Sequence, residues 1–193
     1  DRVLQIEPND FLTRFYLGNT EMALGQLKSA EQTFLKVIEL APEYQDCYLE
    51  LGDVRKIKGD LPGAELAYSM GILQDPSWAP GYLWRGRLRY QRSDIFGAES
   101  DFRSAIQLAP NVAAPQYSLA HLLVEENGDL DMALKWAKSA VFLESAPEHQ
   151  ALLAFVYFRR DQVQLARAKI DRVYHQAPDN PDVLMWRKRI YQQ

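Results

Sequence analysis

The sequence has a single cysteine, no excess of basic residues and no long apolar run. Cys47 has no partner for an internal disulfide, which fits a reducing compartment without excluding the bacterial envelope. The formal net charge of −4 argues against nucleic acid as a partner, because binding phosphates requires a basic surface. No stretch approaches the roughly 18 apolar residues of a membrane-spanning helix, so no direct membrane insertion is expected.

The residue types that usually carry catalysis are scattered along the chain. His121, His149 and His175 occur without the His-x-x-x-His or Cys-x-x-Cys spacing that holds zinc. Cys47 has no neighbouring histidine in the sequence, so it is better explained as a small packed side chain than as a nucleophile. We therefore expect no enzymatic activity, no metal site and no cofactor.

What the sequence does contain is a repeat with a period of about 34 residues. Four series keep this interval: Gly18, Gly52 and Gly86; Ala30, Ala64 and Ala98; Phe34, Tyr68 and Phe102; and Pro42, Pro76 and Pro110. Several series with one period indicate an array of similar units, each of which buries its apolar face against its neighbours.

The residue types within one period predict two antiparallel helices. Tyr48 and Leu51 lie on one face of a first helix, and Gly59 begins a tight turn. Pro76 ends the second helix, because proline cannot continue a helix and disfavours helical backbone just before itself. Small residues such as Gly52 and Ala64 are expected where the two helices cross and their backbones approach each other.

The stretch from Tyr48 to Pro76 resembles the tetratricopeptide repeat. That family has the pattern Trp-x₂-Leu-Gly-x₂-Tyr…Ala-x₃-Phe…Pro, and this sequence reads Tyr48-x-x-Leu51-Gly52-x-x-Arg55…Ala64-x-x-x-Tyr68…Pro76. The resemblance implies an all-α fold, a right-handed α-solenoid of antiparallel helix pairs with one concave face.

The repeat predicts five units, at residues 11–44, 45–78, 79–112, 113–146 and 147–180. Residues 1–10 resemble the end of a preceding unit's second helix, and residues 181–193 form one more helix. We favour a polar cap for this last helix over a truncated sixth unit, because terminal repeats need a polar outer face. The missing initiator methionine indicates a fragment of a longer protein.

The fourth unit departs from the period. Ala133 follows Ala98 by one residue more than the period, and Glu144 stands where the period requires proline. We expect a local change of superhelical pitch between units four and five, or a longer helix through Glu144. Turns within the units are expected near Gly25, Gly59, Ser93, Gly128 and Asp161.

The resemblance also implies a function, since the first helix of each unit lines the concave groove where partner peptides usually bind in this family. We therefore expect a non-catalytic scaffold for protein–protein interaction. The candidate partner-binding residues are Phe15, Tyr16, Asn19, Asp46, Glu50, Asp53, Trp84, Arg87, Tyr90, Tyr117, His121, Phe155 and Phe158.

The character of the partner follows from the second unit. Asp46, Glu50 and Asp53 share one helix face, and the nearby cations Lys56 and Arg87 leave one negative charge over. We expect a partner segment with at least one Lys or Arg beside bulky apolar residues.

Three rings, from Tyr16, Trp84 and Tyr117, are expected to hold that segment. Capture of a C-terminal carboxylate, as in some members of the family, is disfavoured, because Phe15 and Glu50 stand where the clamp has Lys and Asn.

Two alternatives remain open at this point. The aromatic groove could stack on sugar rings within a polysaccharide synthesis, export or glycosyl-modifying machine. The chain could also self-associate, end to end at Asp1–Pro8 or by sheltering Trp186. For Arg85 and Arg87, structural packing and an anion-binding role are both considered.

Overall fold

The computed structural model describes residues 10–192, and every regular element in that range is an α-helix. This confirms the all-α fold expected from the repeat. The first nine residues and the last lie outside the described range, as does the predicted end of a preceding helix except for Asp10. The helices are α1 Phe11–Ala23, α2 Leu27–Leu40, α3 Gln45–Ile57, α4 Leu61–Gln74, α5 Ala79–Gln91, α6 Ile95–Leu108, α7 Ala113–Glu125, α8 Leu130–Leu143, α9 Pro147–Arg159, α10 Val163–Gln176 and α11 Pro181–Tyr191.

Long and short helices alternate in a fixed register. The odd-numbered helices α1 to α9 have 13 residues and the even-numbered helices have 14. The odd-numbered helices, which we call first helices, begin one repeat period apart from Phe11 to Pro181. Each predicted unit therefore starts with a first helix.

The turn inside each unit is made by one residue in left-handed backbone conformation. These residues are Gly25, Gly59, Ser93, Asn127 and Asp161, with φ between 54° and 82°. They too are spaced by one repeat period, and four of them are the predicted turn residues. In the fourth unit the left-handed residue is Asn127 rather than Gly128, so the extra residue follows it.

The irregular fourth unit compensates within itself. Four residues, 126–129, separate α7 from α8, whereas three, 58–60, separate α3 from α4. The linker from α8 to α9 has three residues, 144–146, against four, 75–78, between α4 and α5. The helix α8 ends at Leu143, so the expectation of a longer helix through Glu144 was wrong; the shorter linker restores the register instead.

The described chain divides into two compact units, each larger than a single repeat. From here on, unit 1 means residues 10–93 and unit 2 means residues 94–192, and the 34-residue units are called repeats. In unit 1 the pairs α1–α2 and α3–α4 pack together, and α2–α3 and α4–α5 join them. In unit 2 each helix packs on the next, and α9 also contacts α11. The division falls between α5 and α6, inside the predicted third repeat.

Helix crossings are tight where a glycine meets an aromatic ring. A Cβ on Gly18 would lie 2.6 Å from the Phe34 ring, and a Cβ on Gly52 would overlap the Tyr68 ring. Phe34 and Tyr68 are 0% exposed, so the rings fill the space that the glycines leave. The predicted close approach of the two helices at Gly52 is therefore present.

Three of the linkers between repeats are fixed by a side-chain hydrogen bond to a backbone carbonyl. Tyr48 Oη donates to the Pro42 carbonyl at 2.9 Å, and Gln116 Nε2 donates to the Pro110 carbonyl at 2.7 Å. His149 Nδ1 lies 2.8 Å from the Glu144 carbonyl, so the irregular linker has the same latch from a residue one position earlier. Each latch ties the end of one helix pair to the start of the next.

The last helix differs from the other first helices at one position. Lys188 is exposed and stands where the preceding first helices carry Gly18, Gly52, Gly86, Ala120 and Ala154. A second helix crossing α11 at the usual distance would meet the lysine side chain. The polar cap stays a prediction.

Candidate functional site

The acidic residues of α3 are not equivalent in the structure. Asp53 Oδ1 accepts hydrogen bonds from Lys56 Nζ at 2.7 Å and from Tyr68 Oη at 2.9 Å. Lys56 is therefore one of the internal cations that the sequence indicated, and it satisfies Asp53. Asp46, in the first turn of the helix, is exposed.

Glu50 is a half-buried carboxylate, and no cation pairs with it within residues 10–192. Burial raises the pKa of Glu50, and the negative charges of Asp53 and Asp46 raise it further. A cation placed beside Glu50 would stabilise its charged form and lower this pKa. Glu50 is therefore a half-buried negative charge on α3 that no cation of the described residues offsets.

Aromatic rings border this charge on the side of α1. Tyr16 is 65% exposed, while Tyr44, just before α3, is half-buried. The ring of Phe15 lies 5.9 Å from that of Tyr16 and 5.0 Å from that of Tyr44. Burial raises the pKa of Tyr44, and the nearby Asp46, Tyr16 and Glu50 contribute to the shift.

Two residues of this aromatic group differ from the sequence-based expectation. Phe15 is 7% exposed and belongs to the core cluster with Phe34 and Val37, so its ring supports the surface rather than forming it. Tyr44 was not among the candidates. Its position immediately before the first helix gave no periodic signal, because the corresponding residues of other repeats are of different types.

Trp84 of α5 lies on the other side of α3. Its half-buried ring packs against Ala64, Tyr68 and Leu88. Two cations approach it, Lys56 Nζ at 5.2 Å and the Arg87 guanidinium carbon at 4.9 Å from the ring centroid, which is cation–π geometry.

Two polar candidates of unit 1 are half-buried. Tyr90 lies in the last turn of α5. Asn19 of α1 has a buried side-chain oxygen without a hydrogen-bond partner among the described residues. An unsatisfied buried amide is costly, so this oxygen is suited to a donor from outside the chain.

The candidates of unit 2 form a closed aromatic stack. Tyr117 lies 5.0 Å from His149, and His121 lies 5.5 Å from Trp186. Phe155 stacks on Trp186 at 4.5 Å, with Phe158 behind it at 5.9 Å.

Two expectations about exposure are corrected here. Phe155 is 1% exposed, because the Trp186 indole covers it. Trp186 itself is 0% exposed, so self-association by sheltering Trp186 is also wrong: the chain shelters this ring internally.

A charged pair covers the edge of this stack. The Arg189 guanidinium lies 4.4 Å from the Phe155 ring and 4.8 Å from the Trp186 ring, and it pairs with Glu125 of α7. Burial lowers the pKa of His121, so its imidazole is neutral near pH 7. Side chains of the first helices α7, α9 and α11 thus cover one another in unit 2.

Comparison with known proteins agrees with this architecture. The sequence model of the tetratricopeptide repeat matches residues 15–44. A tetratricopeptide protein of Thermus thermophilus, TTC0263, has a TM-score of 0.69 and 18% identity over 95% of this chain and 100% of its own. Residues 15–44 thus match the tetratricopeptide repeat itself, and the described chain has the fold of tetratricopeptide-repeat proteins.

Other solved structures of this fold are also similar. YrrB, described as a tetratricopeptide protein with an unusual peptide-binding site, has a TM-score of 0.71 and 16% identity over 97% of this chain and 96% of its own. Yeast Tom70 has a TM-score of 0.79 and 18% identity, covering 100% of this chain and 42% of that chain. No curated protein matches the sequence. At these identities the likeness shows the fold, and the tetratricopeptide fold indicates a protein-interaction scaffold in general.

The arginines of the third repeat pack the helices. Arg85 Nη1 donates to Ser69 Oγ at 3.2 Å, and its guanidinium lies 5.5 Å from the Tyr82 ring. Arg89 Nε pairs with Glu65 at 2.9 Å, and Arg92 pairs with the same carboxylate. These contacts support the structural interpretation of Arg85.

Residues 10–192 contain no group of three or more His, Cys, Asp or Glu arranged to hold a metal ion. None of the helices in this range is long and apolar enough to cross a membrane. Cys47 is buried and donates to the Phe34 carbonyl at 3.2 Å. Burial raises the pKa of its thiol to about 12, so the thiolate is absent near neutral pH.

Proposed function

We propose that the protein is a scaffold whose unit 1 binds a partner segment carrying Lys or Arg beside bulky apolar residues. The segment lies on what we call the acidic face, formed by Tyr16, Asp46, Glu50 and Trp84 of the first helices α1, α3 and α5. Unit 2 does not contribute, because Trp186 and Phe155 bury each other there.

The observation that carries this proposal is the state of Glu50. Burial and two neighbouring carboxylates raise its pKa, and within the described residues no cation relieves this. Burying a charge that has no counter-charge is unfavourable. A basic side chain of the binding partner would therefore gain the most free energy by pairing with Glu50.

The rings around Glu50 supply the apolar part of the surface. Tyr16 is 65% exposed and Trp84 is half-buried. Aromatic residues dominate the energetics of protein interfaces, and a ring beside a carboxylate accommodates the stem and the charge of a long basic side chain. The likeness to YrrB, whose description names a peptide-binding site, supports a peptide as the partner.

The test compares two variants by calorimetry against a partner isolated with the intact chain. Glu50→Lys should weaken binding strongly at low salt and less at high salt, because its effect is mainly electrostatic. Trp84→Ala should cost on the order of 2 kcal/mol with little dependence on salt.

The matched control is Glu126→Lys, which makes the same charge change on an exposed residue of unit 2. It should bind like the parent. Parental binding by both Glu50→Lys and Trp84→Ala would show that the partner uses another surface.

A further inference from the structure

The same Trp-x-x-Arg pair occurs in both units at the same repeat position. Trp84 and Arg87 lie in α5, and Trp186 and Arg189 lie in α11, three repeat periods later. The guanidinium carbon lies 4.9 Å from the indole centroid in the first pair and 4.8 Å in the second. Each of the two units therefore has a tryptophan at this position with an arginine at nearly the same distance from its ring.

The surroundings of the two rings are different. In unit 2, Phe155 stacks on Trp186 at 4.5 Å with an interplanar angle of 29°, and Phe158 stacks on Phe155. His121 meets Trp186 edge-on at 5.5 Å. Trp186 is 0% exposed as a result.

In unit 1 the positions of these aromatic residues are occupied by polar ones. Asp53 and Lys56 stand three periods before Phe155 and Phe158, and Asn19 stands three periods before His121. The Asp53–Lys56 ion pair provides no ring to stack on Trp84, which stays half-buried. Lys56 Nζ lies 5.2 Å from its centroid, on a flexible side chain that is 33% exposed.

We propose that the partner supplies the ring that unit 1 lacks: a Phe, Tyr or Trp side chain packs on Trp84 as Phe155 packs on Trp186. This inference rests on the proposed function and makes it more specific, because it states that the apolar residue of the partner is aromatic and packs on Trp84. The basic residue of the partner pairs separately with Glu50. Lys56 moves off the Trp84 ring when the partner binds, because its ammonium lies at the end of a flexible side chain. It stays paired with Asp53.

The experiment selects short random peptides by display on the full chain and on variants that fill the subsite internally. Asp53→Phe with Tyr68→Phe places a ring at the position of Phe155. The second change removes the hydroxyl that Asp53 accepts and gives the residue found in repeats one and three, Phe34 and Phe102. Tyr68→Phe alone is the matched control, and Lys56→Phe is a second variant on a partly exposed residue.

Selection on the parent and on Tyr68→Phe should enrich peptides with one aromatic and one basic residue. The filled variants should lose the aromatic enrichment and keep the basic enrichment. Unchanged aromatic enrichment on Lys56→Phe and on the double variant would overturn the inference while leaving the proposed function intact. If the parent enriches neither residue type, the proposed function itself fails, and the inference with it.

Discussion

At the scale of residues, the side chains at two repeat positions, one in the first helix and one in the second, are complementary in size. Glycine in the first helix accompanies an aromatic residue in the second, and alanine accompanies a smaller one. The pairs are Gly18 with Phe34, Gly52 with Tyr68, Ala120 with Ala137 and Ala154 with Ile170, all of them buried. Close packing explains this, because the interior leaves no room for both a methyl group and a ring.

This pairing predicts a coupled pair of substitutions. Gly52→Ala should destabilise the protein by about 1–3 kcal/mol, because its Cβ would overlap the Tyr68 ring. In a Tyr68→Ile background, which copies the combination of the fifth repeat, the same change should cost little. Urea unfolding of the four proteins gives the coupling free energy, and equal costs in both backgrounds would contradict the packing explanation.

Residue burial was the part of the candidate surface that the sequence predicted least well. The repeat places Tyr16, Trp84, Phe155 and Trp186 correctly on first helices, since their spacing alone decides this. Whether each ring is exposed depends on side chains one and two repeats away. Phe155 is covered because α11 contributes Trp186. Trp84 stays half-buried, and the neighbouring helix α3 contributes Asp53 rather than a ring at the corresponding position. In both cases the deciding side chain belongs to another repeat.

At the scale of helices, an ion-pair staple joins successive repeats in unit 1. Glu31 of α2 pairs with Arg55 at 2.8 Å and with Lys58. Glu65 of α4 repeats the arrangement with Arg89 and Arg92. The two carboxylates are separated by one repeat period, as are the cations, so this staple was present in the sequence as a periodic charge pattern.

The staple predicts a pH-dependent contribution to stability. Hydrogen bonds from Lys58 and Arg55 lower the pKa of Glu31 below its unfolded value. Its contribution is therefore present above the unfolded pKa of about 4.3 and is lost as the pH falls through the lower folded value. Glu31→Gln should cost about 1 kcal/mol near neutral pH, and the difference from the parent should disappear in acid.

Denaturation of parent and variant across this pH range measures the effect. Glu39→Gln is the matched control, because Glu39 is 64% exposed and its one ion pair among residues 10–192 is with Lys36 on its own helix. A pH profile of Glu31→Gln parallel to that of the parent would count against the staple.

Helices and turns were predicted well because their signals are local. Gly25 and Gly59 mark left-handed turns that favour glycine, and Ser93 and Asp161 were predicted from the period alone. The error at Glu144 arose because the missing proline removed a stop signal. The latch between His149 and the Glu144 carbonyl fixes that linker instead, and a side-chain hydrogen bond to a backbone carbonyl leaves no periodic trace.

At the scale of the whole molecule, the two compact units depend on pH in different ranges. Burial lowers the pKa of His121 in unit 2, where Glu125, Asp182 and Arg189 are the charged groups around it. In the unfolded chain, His121 therefore binds a proton at its ordinary pKa of about 6.5. In the folded unit it stays neutral to a lower pH. The free energy of unfolding of unit 2 should fall as the pH drops below this value, before the Glu31 staple of unit 1 titrates.

Hydrogen exchange resolved by unit, and corrected for the intrinsic effect of pH, tests this order. Amides of unit 2 should lose protection in mildly acidic buffer while those of unit 1 keep it. His121→Asn removes the titrating group and should flatten the profile of unit 2. Equal loss in both units of the parent would contradict the assignment to His121.

The fold class followed from the sequence because the repeat is redundant: four residue series specify the same helix pair. The proposed partner did not, since the proposed contacts use positions that differ between repeats. Glu50 and Trp84 are residues of this kind, and a repeat pattern predicts only what its copies share.

The extra turn residue of the fourth repeat behaves like a frameshift with its own suppressor. Gly128 adds one residue before α8, and the short linker 144–146 removes one after it, so α9 starts in frame. Both changes lie in linkers, so correcting either site alone would shorten or lengthen the connection from α7 to α9 by one residue. Deletion of Gly128 should therefore unfold unit 2 more readily, and one residue inserted after Ser145 should restore it.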